Sequence, residues 1–211
     1  MERRLAAIVA ADVVGYSRLV RDDEEATLAA LRRLRKRLIE PRIKQHHGRI
    51  VKLMGDGILA EFSSVVGAVT CCVEVQRMLG ARDARETQIV FRIGVNVDDV
   101  VIEGDDILGD GVNVAARLEA LADPGGICIS DVVYEQVRDR FDLVFRDIGK
   151  QRVKNINRPV QAWKWPACIT EIDHQPDKIG ASQISADIPS IKILPCGNML
   201  GVSREWAPPV F

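Results

Sequence analysis

Residues 48–62, GRIVKLMGDGILAEF, constrain the fold of this chain more than any other stretch: two apolar runs meet at Met54-Gly55-Asp56-Gly57. An Asp-Gly pair between hydrophobic runs is a strong short-range hairpin signal, because the tight turn needs positive φ and glycine adopts it without steric cost. The turn puts Asp56 at a tip. Lys52 belongs to the first strand, where strict alternation sets it on the face opposite Val51 and Leu53. Taken alone, one cation and one carboxylate on a hairpin fit a solvated turn better than a site. Their meaning depends on what the rest of the chain brings to them.

Composition sets the outer limits. A length of 211 residues allows one domain with a substantial core plus an appendage. Lys and Arg number 29 against 30 Asp and Glu, so no global field draws the chain to nucleic acid or to an anionic membrane, and an anionic ligand must be held locally. The apolar run 5–11 is too short for a signal sequence or a membrane span, which makes cytoplasmic residence the expectation. Five cysteines (Cys71, Cys72, Cys128, Cys168 and Cys196) form no Cys-x-x-Cys pair, so neither a zinc site nor a disulfide framework is indicated.

Residues 4–11 form a near-continuous run rich in Ala, Ile and Val, suited to a strand buried on both faces, and the run ends in Asp12. Val13-Val14-Gly15-Tyr16-Ser17 breaks the pattern. A sharp turn is expected there, either presenting N–H groups to an anion or letting Asp12 cap the next helix. Asp22-Asp23-Glu24-Glu25 opens one long helix, acids first and bases later, with Leu28, Leu31, Leu34, Leu38 and Ile39 as its apolar stripe. Arg32, Arg33, Arg35, Lys36 and Arg37 fill the positions between, which reads as a solvated face. His46-His47 ends that helix, where a cation needs no metal to explain it.

After the hairpin, residues 65–79 predict a buried helix, and 88–97 with 100–103 predict strands framing Asp98-Asp99. The order strand, helix, strand, strand, helix, strand is that of a ferredoxin-like βαββαβ core, a two-layer α+β arrangement. Residues 104–111 are rich in Gly and Asp and are expected as loop. Residues 112–121 predict a helix on which Asn113 and Arg117 share a face while Val114, Leu118 and Leu121 pack inward. A strand at 127–129, a helix at 131–138 and strands at 143–147 and 160–165 close the domain around a basic loop holding Lys150, Arg152, Lys154 and Arg158. Six of the nine prolines fall beyond residue 165 without sustained periodicity, so 1–165 is expected as the domain and 166–211 as linker or incomplete module.

Asp12 in AADVVGYSRL, Lys52 and Asp56 in KLMGDG, Asp106 in DDILGDG, and Asn113 with Arg117 in NVAAR form an ordered set over residues 3–165. As a set they resemble the class III adenylate/guanylate cyclase catalytic domain. The resemblance implies a ferredoxin-like core with an added arm and C-terminal strands, working as a head-to-tail homodimer with its sites at the interface. It also implies roles: Asp12 and Asp56, with Val13 beside Asp12, hold two Mg2+ or Mn2+ ions. Arg117 meets charge growing on the α-phosphate, Asn113 orients the ribose, Lys154 meets the terminal phosphates, and the backbone at Gly15, Tyr16 and Ser17 contacts the triphosphate. The activity so implied is conversion of ATP to 3′,5′-cyclic AMP and pyrophosphate in intracellular signalling.

Base choice follows from hydrogen-bond polarity. Adenine offers an acceptor at N1 and a donor at N6, and guanine the reverse at N1 and O6, so Lys52 as donor and Asp106 as acceptor, which the resemblance places at the base and which adenylate cyclases of the family carry there, fit adenine. Asp98 stands where the family pattern has a small residue at the turn between the arm strands, and Asn155 where glycine follows the phosphate lysine. Residues 189–201 resemble the opening strand of a second module that follows such domains in bacterial cyclases. Two rival readings remain. A catalytically silent, dimerising module of this family loses one or more of the metal or transition-state residues, and none is lost here. A ferredoxin-like nucleic-acid binder wants exposed aromatics and a basic face, against 5% aromatics and a net charge of −1.

Overall fold

The spine of the fold is β1 (Glu2–Val13), whose residues Ala6 to Ala10 are at most 7% exposed because both edges and both faces of the strand are covered. The computed structural model describes residues 2–82, 89–152 and 159–165; Lys154, Asn155 and the stretch 166–211 lie outside the described residues. After β1 come α1 (Tyr16–Asp22), α2 (Glu24–Leu34), a π-helical turn (Arg35–Ile39) and α3 (Glu40–Gln45). The hairpin is β2 (Gly48–Met54) and β3 (Gly57–Phe62), followed by α4 (Val65–Gly80) and β4 (Phe91–Glu103). Then follow β5 (Asp106–Leu108), α5 (Asp110–Leu121), β6 (Ile127–Ser130), α6 (Asp131–Val137), β7 (Arg146–Gln151) and β8 (Val160–Trp165).

The sheet runs β2-β3-β1-β4-β6-β8-β7, with β5 added to β4. Its first four strands are antiparallel in the ferredoxin-like order expected; β6 joins β4 in parallel and β8 and β7 extend the sheet antiparallel. Period-2 alternation then splits the strands between two cores. Ala7, Val9, Ala60 and Phe62 face one side, in a core completed by Leu31, Ile43, Val69, Val73 and Val133 of the helices. Ala6, Ile8, Ala10 and Leu59 face the other side, covered by α5 through Ala115, with Val114 and Leu118 of the same helix packed on Cys128 and Ala162. The two-layer expectation therefore holds for the ferredoxin-like elements, and α5 adds a layer because a sheet apolar on both faces must be covered on both.

Several expectations are corrected. The single helix from residue 22 is broken: α1 starts earlier, at Tyr16, and Asp23 caps α2 by accepting from the Ala26 N–H at 2.9 Å. Burial then steps through Thr27, Leu31 and Leu34 to Ile39 and Ile43, and the five-residue step at the π turn puts Ile39 rather than Leu38 in the core. Pro41 just beyond has no N–H for the carbonyl four residues back, and the wider turn accommodates its ring. The strands framing Asp98-Asp99 are one continuous β4, in which Asp98 pairs with Ala6; the arm turn lies at Gly104-Asp105, with Gly104 at φ +62. Part of the expected loop 104–111 is therefore strand β5, and the strand expected at 143–147 is β7 at Arg146–Gln151. A bulge between Ile50 and Lys52 breaks the alternation on β2. Lys52 sits opposite Leu59, and Val51 packs on the same cluster as Leu59, so Lys52 and Val51 share the α5 face. Cys71, Cys72 and Cys128 are buried free thiols, with burial pushing Cys71 and Cys128 up to about 12, as inert core residues should be. No helix among the described residues is long and apolar enough to cross a membrane.

Candidate active site

The two motif carboxylates meet at one edge of the sheet. β1 and β3 pair with Ala11 opposite Ile58, so the end of β1 and the Gly55-Asp56 turn before β3 arrive side by side. Gly55 has φ +66, as the hairpin signal required, and a Cβ at Gly57 would stand 3.2 Å from the Met54 carbonyl oxygen and 3.5 Å from Asp12 Oδ1, so glycine there keeps the edge open. Burial and then the neighbouring Asp12 raise the Asp56 carboxyl above its ordinary value, while backbone N–H groups, including that of Val13, pull it down. The Val13 side chain is buried, so only its main chain can serve the edge.

A cation and a third carboxyl, both missed in the sequence, complete this edge. Arg92 lies opposite Asp12 across the β1–β4 register; its Nη2 is 3.7 Å from Asp12 Oδ2 and its Nε 3.2 Å from Glu119 Oε1 on α5. Burial pushes the Glu119 carboxyl up to about 7, against the pull of Arg92 and with the charges of Asp12 and Asp56 adding to the rise. Gly94 makes this contact possible. A Cβ there would come within 2.1 Å of the Ala115 carbonyl oxygen and 2.2 Å of the Glu119 nitrogen, so α5 lies directly on β4 only because residue 94 has none. Arg92 could be found from sequence only by knowing the β1–β4 register, and Glu119 only by knowing which side of α5 meets the sheet.

Three carboxyls against one guanidinium leave the edge short of positive charge, the condition in which a divalent cation binds. Among the described residues no group of three or more His, Cys, Asp or Glu side chains could enclose a metal. Two carboxylates and a main chain nevertheless fit Mg2+ or Mn2+, hard cations that complete their shell with water and substrate phosphate rather than with a full protein cage.

The second pairing joins β2 to the arm. Lys52 Nζ lies 2.5 Å from Asp106 Oδ2, with both side chains a little over one third exposed. That hydrogen bond, followed by the Ile107 N–H and the positive charges of Lys52 and Arg49, holds the Asp106 carboxyl below its usual range despite some desolvation. Asn113 and Arg117 lie exposed on the outer face of α5, as their spacing predicted, and neither makes a hydrogen bond or ion pair among the described residues. Gly15 turns the chain at φ +68, while Tyr16 and Ser17 form the first turn of α1, where helix N–H groups lack intrahelical acceptors.

The fold agrees with what other proteins show. The adenylate and guanylate cyclase catalytic domain family matches residues 3–163. The chain belongs to that family. A Rhizobium meliloti protein named "Putative adenylate cyclase 3" is 48% identical over 207 residues, covering 95% of this chain and 35% of that relative. Such coverage necessarily reaches into residues 166–211, and the chain spans about a third of the relative's length. A solved adenylate/guanylate cyclase/hydrolase from Silicibacter pomeroyi superposes with a TM-score of 0.74 at 48% identity, over 78% of this chain and 97% of that one. A guanylyl cyclase, Cya2, superposes with a TM-score of 0.67 at 25% identity, over 77% and 92% of the two chains. Cyclase domains named for either base thus share this fold, and base choice has to be argued from side chains.

Proposed function

We propose that this cyclase domain converts ATP to 3′,5′-cyclic AMP and pyrophosphate, as a homodimer whose sites lie between the protomers. The observation that carries the base assignment is the Lys52–Asp106 pair: a donor and an acceptor 2.5 Å apart match N1 and N6 of adenine and oppose N1 and O6 of guanine. Two divalent cations held at Asp12, Asp56 and the Val13 main chain would acidify the ribose 3′-hydroxyl and neutralise the pyrophosphate leaving group. The remaining roles fall to the chain. Arg92, tethered by Glu119, keeps a guanidinium beside the carboxylate pair for a phosphate oxygen. Arg117, exposed and without a partner among the described residues, is available to charge growing on the α-phosphate, and Asn113 one helical turn earlier can hold the ribose in line. Gly15, Tyr16 and Ser17 offer main-chain N–H groups to the triphosphate, and Lys154 a cation.

Incubating the protein with ATP or GTP, each with Mg2+ or Mn2+, and separating the products tests this reading. Cyclic AMP should form in a metal-dependent way, with kcat/KM for GTP lower by about tenfold or more. Equal or preferred turnover of GTP would overturn the base assignment. Nucleotide binding without any cyclic product would favour a silent module.

A further inference from the structure

Behind the Lys52–Asp106 pair lies a charge cluster that catalysis does not use. Glu61, on β3, is 3% exposed, and its Oε1 accepts from Arg4 Nη2 at 2.5 Å and from Arg49 Nε. Arg49 faces Glu61 across the β2–β3 register, and its free end reaches the arm, where Nη1 donates to the Asp105 carbonyl oxygen at 2.8 Å. Asp105 belongs to the turn between β4 and β5, and the next residue is Asp106. β2 therefore grips the arm twice, Arg49 holding the main chain of residue 105 and Lys52 the side chain of residue 106.

We propose that Arg49, clamped by Glu61, is a positioning residue for base discrimination, fixing the arm turn so that Asp106 stands where an adenine edge requires an acceptor. The proposal rests on the reading of Lys52 and Asp106 as the base-contacting pair. That pair is partly solvated, and an exposed ion pair alone holds its partners only weakly. Discrimination between two purines needs donor and acceptor fixed to a fraction of an ångström, which side-chain pairing at a hairpin turn does not give. A guanidinium suits both contacts, because its planar fork serves a buried carboxylate and a carbonyl at once. The Glu61 carboxylate is an inefficient stabilising device, since Oε2 has no hydrogen-bond partner among the described residues. Its effect falls instead on the direction in which Arg49 points.

Arg49→Met keeps the aliphatic stem and removes the fork, at a side chain 41% exposed, so the fold should survive. The ratio of kcat/KM for ATP over GTP should fall by about fivefold or more, with the melting temperature within a few degrees of wild type. In the nucleotide-free protein, the Asp106 carboxyl, followed by 13C NMR, should titrate higher than in wild type because its hold on Lys52 is loosened. Arg49→Lys, which retains a charge for Glu61 without the planar fork, should move both readouts in the same direction and gives a second test in a less perturbed chain. An unchanged ratio together with an unchanged Asp106 titration in these variants overturns the role of Arg49. The double variant Lys52→Glu with Asp106→Cys separates the two levels. If it leaves the ratio untouched, the base-reading pair is itself wrong and the proposal falls with it; if it collapses the ratio while Arg49→Met does nothing, only the positioning role falls.

Discussion

Asp12, Asp56 and Glu119 crowd one edge of the sheet around Arg92, and Glu119 carries the clearest consequence of that crowding. Its carboxyl rises from an ordinary 4.5 to about 7, through burial first, with Asp12 and Asp56 adding to the rise. An acid raised on folding keeps its proton in the native state where the unfolded chain has lost it. Native protein therefore binds more protons between about pH 4.5 and 7, and stability falls as the pH rises through that window. Glu119→Gln keeps the shape and abolishes the titration. Metal-free Glu119→Gln should lose much of the pH slope between 5 and 7.5 and be more stable than wild type at pH 7.5, by on the order of 1–3 kcal/mol. Urea unfolding at the two pH values measures it, and a slope as steep as wild type would show that Glu119 is not the titrating group. At this scale the sequence displayed the residues whose motifs are contiguous, Asp12, Asp56, Lys52 and Asp106. It hid Arg92 and Glu119, because their meaning lies in a strand register and a helix orientation that join residues far apart in the chain.

Among the elements, α5 carries three residues of the proposed site, Asn113, Arg117 and Glu119. Its outer face presents Asn113 and Arg117, and its inner face brings Glu119 to Arg92. What sets its height above the sheet is Gly94, at which any side chain would meet the helix backbone rather than a flexible tip. Gly94→Ala should therefore force α5 off β4 and destabilise the domain by about 2 kcal/mol or more. Gly80→Ala makes the contrast: at the end of α4, with nothing within 4 Å of the added carbon, it should be neutral or stabilising by a few tenths of a kcal/mol. Denaturant titration of both variants decides the matter, and equal effects would mean that close approach does not set the helix height. Elements with strong periodicity or punctuation, the hairpin, α4 and α5, were legible almost to their ends. The π turn and the bulge at Val51 were not, because each inserts one residue into a repeat and leaves no mark on composition, only a shift in which side chains face inward.

At the scale of the whole molecule, no hydrogen bond or ion pair among the described residues joins Asp12 or Asp56 to Lys52, Asp106, Asn113 or Arg117. Asp12 and Asp56 sit at the edge where β1 ends, whereas Asn113 and Arg117 lie exposed on α5 with no protein partner among the described residues. Leu53 and Met54 at the hairpin end and Leu108 at the arm are exposed apolar residues, 43–50% accessible, suited to burial against a second chain. In the proposed homodimer each site takes Asp12 and Asp56 from one protomer and Lys52, Asp106, Asn113 and Arg117 from the other, so two-fold symmetry gives two such sites. Asp56→Ala and Asn113→Ala homodimers should then each be nearly inactive, since every site lacks one part. In a heterodimer of the two, one site carries both lesions and the other carries neither. Random pairing of equal amounts makes half of the dimers heterodimers with one intact site each, so mixing should restore up to about one quarter of the wild-type rate. The measurement is cyclic AMP formation by each variant alone and after co-refolding, with heterodimer content fixed by differential tagging. Silence of a mixture in which heterodimer is present would place the complete site within a single chain.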